Sequence, residues 1–340
     1  MLLKRLTEAC GGPGHEKEVR DLLRQEVTPL VDSIRTDAMG NLIAAKNTGA
    51  SGPKIMLAAH MDEVCLMIMG IEKNGMLKFR PVGGVDPRVL VAKTVVVGEK
   101  RTPGVIGAKP IHLQKPPERK RPFGLEEMYI DIGCSKEEEA ERLVSLGDYA
   151  YFTTGFENLG ADRWKAKAFD DRAGCALLVE LLRSQYTTPV FGAFTVQEEV
   201  GLRGAATAAY GIDPDLAVVL ESTTASDTPG SPDHKHATTV GAGPCLTFMD
   251  RSVITNPKLV NRLRSIAEDI GVPVQMRRTT TGGTDAGAIA LTRSGVPAAV
   301  LALPCRYIHS PVSVLSRDDY QGALKIMQAF LQRLPESEVL

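Results

Sequence analysis

The chain has 340 residues with 40 Lys and Arg against 41 Asp and Glu, a formal net charge of −1. That even mix leaves no basic stripe for nucleic acid and no acidic tail. No apolar run reaches the roughly 18 residues of a membrane helix, and residues 1–8 intersperse charges among apolar positions, unlike a signal-peptide core, so a cytoplasmic protein without a nucleic-acid or membrane partner is expected.

Residues 2–27 read as a helix pair broken at Gly11-Gly12-Pro13-Gly14, with Val19, Leu22, Leu23 and Val27 on one face of the second piece. Residues 32–46 read as a hairpin around Met39-Gly40. The run 54–59 is almost continuously apolar, the pattern of a strand buried on both faces, and it ends in His60-Met61-Asp62-Glu63-Val64. The texture then changes to glycine-punctuated β segments, with turns at Asn74-Gly75 and Gly83-Gly84, a proline-rich basic loop over 115–122, and a short helix with a capping-box signature opening at Ser135. This block, residues 66–162, reads as a small β-rich domain inserted into a larger one made of 1–65 and 163–340.

The remainder alternates helix and strand. Helices are expected at 173–184, 201–210, 257–270, 286–294 and 318–334, and buried strands at 190–196, 216–220 and 298–303. Alternation of this kind makes an α/β fold, a mixed, mostly parallel sheet with helices on both faces. The six cysteines, Cys10, Cys65, Cys134, Cys175, Cys245 and Cys305, form no Cys-x-x-Cys pair and read as reduced, mostly buried thiols.

Four buried runs end in potential metal ligands: His60 after the first, Glu198 and Glu199 after the second, Glu221 after the third and His309 after the fourth. Asp170-Asp171 precedes the helix at 173. Strand ends are where open α/β sheets carry their chemistry. Two imidazoles and several carboxylates without thiolates suit zinc, cobalt or manganese, and they outnumber the three protein ligands of one catalytic zinc. Two cations bridged by a carboxylate accommodate them. Standing alone, Glu198-Glu199 would read as a solvated pair capping the next helix. The convergence of four strand ends argues against that.

His60-Met61-Asp62-Glu63-Val64, Phe169-Asp170-Asp171-Arg172-Ala173-Gly174, Gln197-Glu198-Glu199-Val200-Gly201, Gly282-Gly283-Thr284-Asp285-Ala286 and Ile308-His309-Ser310 occur in the order seen in the glutamyl/deblocking aminopeptidases, and the chain resembles that family throughout its length. These are dinuclear metallopeptidases, the tetrahedral TET peptidases among them, and some carry the label endoglucanase or cellulase M. The resemblance implies a phosphorylase/hydrolase-like peptidase domain with an inserted PDZ-like, β-barrel-like domain that serves oligomerisation. It implies two divalent metal ions per subunit, zinc or cobalt before manganese. His60 and Glu221 would bind one metal, Glu199 and His309 the other, and Asp170 would bridge. Asp62 would orient His60, and Glu198 would be the general base acting on a metal-bridged water. Glu221 stands where the family usually has Asp, so its carboxylate reaches one methylene further. A peptide substrate, a dimer building to a dodecamer and removal of N-terminal residues follow from the same likeness.

Other assignments remain open at this level: the same metal chemistry on another amide (dipeptidase, carboxypeptidase, N-deacylase), a glycoside hydrolase, or a binding module without catalysis. A glycosidase fits poorly with one Trp in the chain and has no use for the two histidines. His15, His112, His234 and His236 follow no buried strand and read as loop residues. Asp171 reads as a helix-start acid, Asp227-Thr228-Pro229-Gly230 as a turn, and Cys175 as core packing. Gly282-Gly283-Thr284-Asp285 reads either as an N-cap with glycine turns or as a wall of the substrate cleft.

Overall fold

In the computed structural model, which describes residues 1–334, the chain opens with helices α1 (Leu2–Glu8) and α2 (Lys17–Val27) and the strands β1 (Ser33–Thr36), β2 (Leu42–Lys46) and β3 (Ile55–His60). Six strands follow: β4 (Cys65–Ile71), β5 (Leu77–Val82), β6 (Thr94–Val97), β7 (Thr102–Ala108), β8 (Met128–Asp131) and β9 (Tyr149–Phe152), with the short helix α3 (Glu137–Glu141) before the last. The chain continues through β10 (Glu157–Leu159), β11 (Arg163–Ala166), α4 (Phe169–Arg183), β12 (Val190–Thr195), α5 (Arg203–Ile212) and β13 (Leu216–Thr224). It closes with β14 (Cys245–Leu246), α6 (Pro257–Asp269), β15 (Gln275–Met276), α7 (Asp285–Ala290), β16 (Ala298–Arg306), β17 (Ser313–Ser316) and α8 (Arg317–Gln332).

The large sheet is mixed, in the order β1-β2-β12-β3-β13-β16-β17-β11-β10, with β14 and β15 branching from β16. Its centre, β12-β3-β13-β16, is parallel, and its flanks are antiparallel. Strand residues point alternately to opposite faces, so an unbroken apolar run must serve two cores. Ile55, Leu57 and Ala59 of β3 pack into one cluster, together with Leu216, Val218 and Leu220 of β13 and the inner face of α4. Met56, Ala58, Ala217 and Val219 pack into a second cluster against α5 and α7. Both clusters are shielded from water, which is why β3 carries no polar residue before His60 and β13 none before Glu221.

The inserted block closes into a six-stranded barrel, β4-β5-β8-β7-β6-β9, around its own core of Leu66, Ile68, Phe79, Ile106 and Ile130. Its strands run from Cys65 to Phe152. β10, assigned by sequence to the insert, instead pairs with β11 in the large sheet, Asn158 opposite Trp164. Two local expectations also differ. At α3 the N-cap position falls on Lys136 without a side-chain bond, and in place of the capping box Glu139 accepts from the Ser135 N–H at 3.0 Å. β13 continues past Glu221 because Ser222, Thr223 and Thr224 keep pairing with Leu303, Pro304 and Cys305 of β16.

Candidate metal centre

Register along the parallel centre brings the strand ends together. Val219 of β13 pairs with Ala58 of β3, so two residues on, Glu221 and His60 leave the ladder side by side on the face of the second core. Glu221 Oε1 lies 3.4 Å from His60 Nε2. Asp170 lies 3.2 Å from the same nitrogen through Oδ1, while its Oδ2 lies 3.4 Å from His309 Nε2. Glu199 completes the second group, with Oε2 also 3.4 Å from His309 Nε2. The result is two sets of three donors, His60–Asp170–Glu221 and Asp170–Glu199–His309, sharing one carboxylate. Glu198 belongs to neither, its nearest oxygen being 3.9 Å from His60 Nε2.

Asp62 does more than the sequence predicts. His60 Nδ1 is 3.0 Å from its backbone carbonyl, whereas the carboxylate expected to orient the ring stands 3.6 Å away. That carboxylate accepts instead from the backbone N–H of Glu198 and of Glu199, both at 3.0 Å. It therefore fixes the turn carrying both glutamates. Asp171 acts as a helix-start acid: Oδ1 accepts from the Gly174 N–H at 2.9 Å, and a Cβ on Gly174 would press 2.4 Å from Oδ2.

His60 and Glu221 are buried, Asp170, Glu198 and Glu199 are half-buried and His309 is exposed, and the carboxylates crowd one another. Burial pushes the Glu199 carboxyl up to about 8 against the pull of His309, and Glu221 up to about 7 against the pull of His60. Glu198 is raised well above the carboxylate range, again by burial. Burial opposes charge on Asp170 too, but hydrogen bonds to His309 and His60 hold it well below its ordinary value. His309 rises to about 9: burial lowers it, and Asp170 and Glu199 more than compensate. Buried carboxylates in this number require positive charge, and Glu221 Oε2 has no hydrogen-bond partner among the described residues. Donors bound to one cation at about 2.1 Å in tetrahedral geometry are roughly 3.4 Å apart, close to the 3.2–3.4 Å between each histidine Nε2 and its carboxylate partners. The residues present fit a pair of divalent cations.

Three supporting residues have roles the sequence does not show, although Glu63 and Arg172 lie within the quoted motifs. Glu63 accepts from Lys167 Nζ at 2.7 Å and from Arg172 Nη2 at 3.3 Å, and all three side chains are at most 4% exposed. Arg172 also donates to the carbonyls of Leu6, Met61 and Gly11, and Lys167 to that of Ala9. This buried knot ties α1 and the chain just after it to the end of β3 and the start of α4, which carry His60 and Asp170. A charged residue beside an acidic motif looks like surface in a sequence; only the topology places it inside. Gly83 and Gly84, read as a turn, bring the barrel against the second donor group. A Cβ on Gly84 would stand 3.2 Å from His309 Nδ1, and one on Gly83 3.3 Å from Glu199 Cβ.

Thr284, at the N-cap position of α7, makes no capping bond, and with Gly282 and Gly283 it lines the cleft before the cluster. Asp285 is buried beneath it, accepting from Thr195 Oγ1 at 2.5 Å. Asp227 pairs with Arg306. His15, His112 and His234 are exposed, and Cys175 is buried.

The M42 glutamyl aminopeptidase model matches residues 40–326. The chain belongs to this family. It is 33% identical to the lysyl aminopeptidase of Pyrococcus furiosus over 98% of this chain and 96% of that one. Among solved structures, the aminopeptidase APDkam598 of Desulfurococcus kamchatkensis superposes with a TM-score of 0.94 at 38% identity, covering 98% and 94% of the two chains. The TET1 peptidase of Pyrococcus horikoshii, which can assemble into a tetrahedron or a large octahedral shell, gives 0.87 at 35% identity over 98% and 99%. M42 membership and these aminopeptidase relatives make the chain a peptide-bond hydrolase by family, with an M42 fold of mixed sheet and barrel. No helix among the described residues is long and apolar enough to cross a membrane.

Proposed function

We propose that the chain is a dinuclear metal-dependent aminopeptidase that removes N-terminal residues from peptides. The observation that carries this reading is Asp170, whose two oxygens face two separate donor groups at 3.2 and 3.4 Å. His60, Asp170 and Glu221 would hold one cation, and Asp170, Glu199 and His309 the other. When bound, the cations supply Lewis acidity to the scissile carbonyl and to the attacking water. Zinc or cobalt suits the imidazole and carboxylate donors best, with manganese next.

Glu198 is the general base. It shares the turn of Glu199, is held by Asp62 through its backbone, and belongs to neither donor group, so its carboxylate stays free to take a proton from water and return it to the leaving amine. Asp62 positions the base and one ligand together. His60, bonded through Nδ1 to the Asp62 carbonyl, presents Nε2 to the cluster. The acids at the head of the cleft also receive the substrate's α-ammonium, which restricts cleavage to the N-terminal residue.

The decisive experiment pairs Glu198→Gln with metal analysis of the full chain. The variant should retain its cations by elemental analysis and lose at least about 100-fold in kcat on an aminoacyl-nitroanilide. Turnover unaffected by the substitution would remove Glu198 from its role; full activity after exhaustive chelation would remove the metals from theirs. The assembly of the Pyrococcus horikoshii TET1 peptidase into closed shells supports a homo-oligomer, and the form proposed is a dimer building to a dodecamer with the inserted barrel supplying contacts. Exposed Met69, Val105, Ile111 and Leu113 on that barrel suit the purpose. Light scattering tests it.

A further inference from the structure

The peptide groups leading into Glu198 find their acceptors on side chains brought from three other parts of the chain. β12 leaves the ladder after Thr195, and the next four N–H groups turn away from any strand. That of Val196 donates to Asn41 Oδ1 at 3.0 Å, that of Gln197 to Glu16 Oε1 at 3.2 Å, and those of Glu198 and Glu199 to the two Asp62 oxygens. The carbonyls are met locally: Val196 and Gln197 accept from Gly204 and Arg203, and Glu198 from Gly201 and Leu202. Since a shielded N–H without an acceptor is costly, the three side chains decide where this turn can lie.

Glu16 is the member from furthest away. It stands at the N-cap position of α2 and is 3% exposed. Its Oε1 also accepts from the Gly14 N–H at 2.6 Å, so the carboxylate is anchored in its own loop before it reaches Gln197, 181 residues on. Gln197 has a φ of +57°, in the left-handed region that an L side chain keeps only where its surroundings hold it. Relaxation to negative φ would redirect the chain that enters Glu198. Asn41 is fixed from behind, its Nδ2 donating to Asp37, Thr207 and the Gly204 carbonyl, which leaves Oδ1 aimed at Val196.

The two glutamates of the turn differ in what else can hold them. Glu199 is one of the donors of the second group, so a bound cation would fix its carboxylate, whereas Glu198 belongs to neither group and has only its backbone to aim it. We propose that Glu16 is a positioning residue for Glu198: it holds Gln197 in the left-handed turn and thereby keeps the Glu198 carboxylate beside the His60 donor group. The inference rests on Glu198 as the general base. Its effect falls on turnover, and retention of the cations is left to the ligands and to Asp62.

The test compares Glu16→Ala, Glu16→Gln and Leu23→Ala in the full chain, with Glu16→Ala made also on the Glu198→Gln background. Leu23, fully buried on the core face of α2, controls for loosening of that helix. Glu16→Ala should lower kcat on an aminoacyl-nitroanilide about 10- to 100-fold. KM, and cation affinity by titration calorimetry, should each stay within about threefold. Amides 196–199 should exchange faster by mass spectrometry, with and without cations. Glu16→Gln, whose amide oxygen can accept from the same two N–H groups, should bring kcat back to within about fivefold of the natural value. Leu23→Ala should lower the urea midpoint and leave kcat within about twofold. On the Glu198→Gln background Glu16→Ala should cost less than about threefold, because the group it aims is already gone. A kcat within about twofold of natural in Glu16→Ala, a loss shared in full by Glu16→Gln or Leu23→Ala, or a full-sized loss on the Glu198→Gln background would overturn the inference and leave the base in place. Full turnover in Glu198→Gln alone would sink the base and the inference with it.

Discussion

Glu63→Gln changes one atom's worth of volume and a whole charge in the buried knot. Lys167 and Arg172 would then share no counter-charge while remaining at 4% and 0% exposure. The carbonyls of Ala9, Leu6, Met61 and Gly11 still accept from them, so most hydrogen bonds survive and the lost term is electrostatic. Breaking a buried pair by neutralising one partner costs about 3–5 kcal/mol, against a total stability of about 5–15 kcal/mol for an ordinary domain. The variant should fold but unfold at markedly lower urea. The chain's single tryptophan, Trp164, is buried on β11 and gives the fluorescence signal; protein concentration is held constant because assembly would add to stability. As a control, Glu180→Gln removes an exposed partner of Arg183 and should cost less than about 1 kcal/mol. A Glu63→Gln loss as small as the control's would refute the view that the knot is held by charge.

Further outcomes follow from the site and its surroundings. Asp62→Asn removes one of two acceptors for the Glu198 and Glu199 N–H groups; cation affinity should fall about 10- to 100-fold, read by titration calorimetry, and unchanged affinity would show that the turn holds itself. Chelation should lower the thermal midpoint and added cation restore it, since cations that bind only the folded cluster stabilise it by mass action; an unmoved midpoint would count against ligation by these residues. Burial raises the Asp227 pKa, but the bidentate Arg306 outweighs it and the net shift is downward. A depressed folded pKa gives stability that is present above the unfolded value of about 3.9 and is lost as pH falls through the folded one. Asp227→Asn should therefore cost about 1–3 kcal/mol at neutral pH, with the gap closing below about pH 4; a gap independent of pH would mean the pair contributes shape rather than charge.

How much of this was legible in the sequence depends on what each residue reports locally. The apolar runs before His60, Glu221 and Glu198 announced themselves because the part of a strand buried between two apolar cores tolerates no polar side chain. The barrel was legible from its turns, but its end was not: β10 is three exposed residues whose pairing with β11 depends on where β17 lies. Asp62 was seen as a partner of His60, whereas its hold on the Glu198-Glu199 turn spans 136 residues of chain. Glu63, Lys167 and Arg172 were silent for the same reason, since burial of a charge is a property of the assembled layers.

The knot also constrains how the molecule can be made. Arg172 and Lys167 bind carbonyls of residues 6 to 11, so the first helix leaves the ribosome some 160 residues ahead of the groups that fasten it. At about 5–20 residues per second this is a wait of roughly 8–32 s. During that interval β3 and its His60 have been synthesised without the wall they lean on, while the barrel, whose strands all fall between β3 and β10, has every partner it needs. Synthesis in this order favours a finished insert hanging from an unfinished sheet, and it leaves Leu6 to Gly11 unfastened until Lys167 and Arg172 have been made.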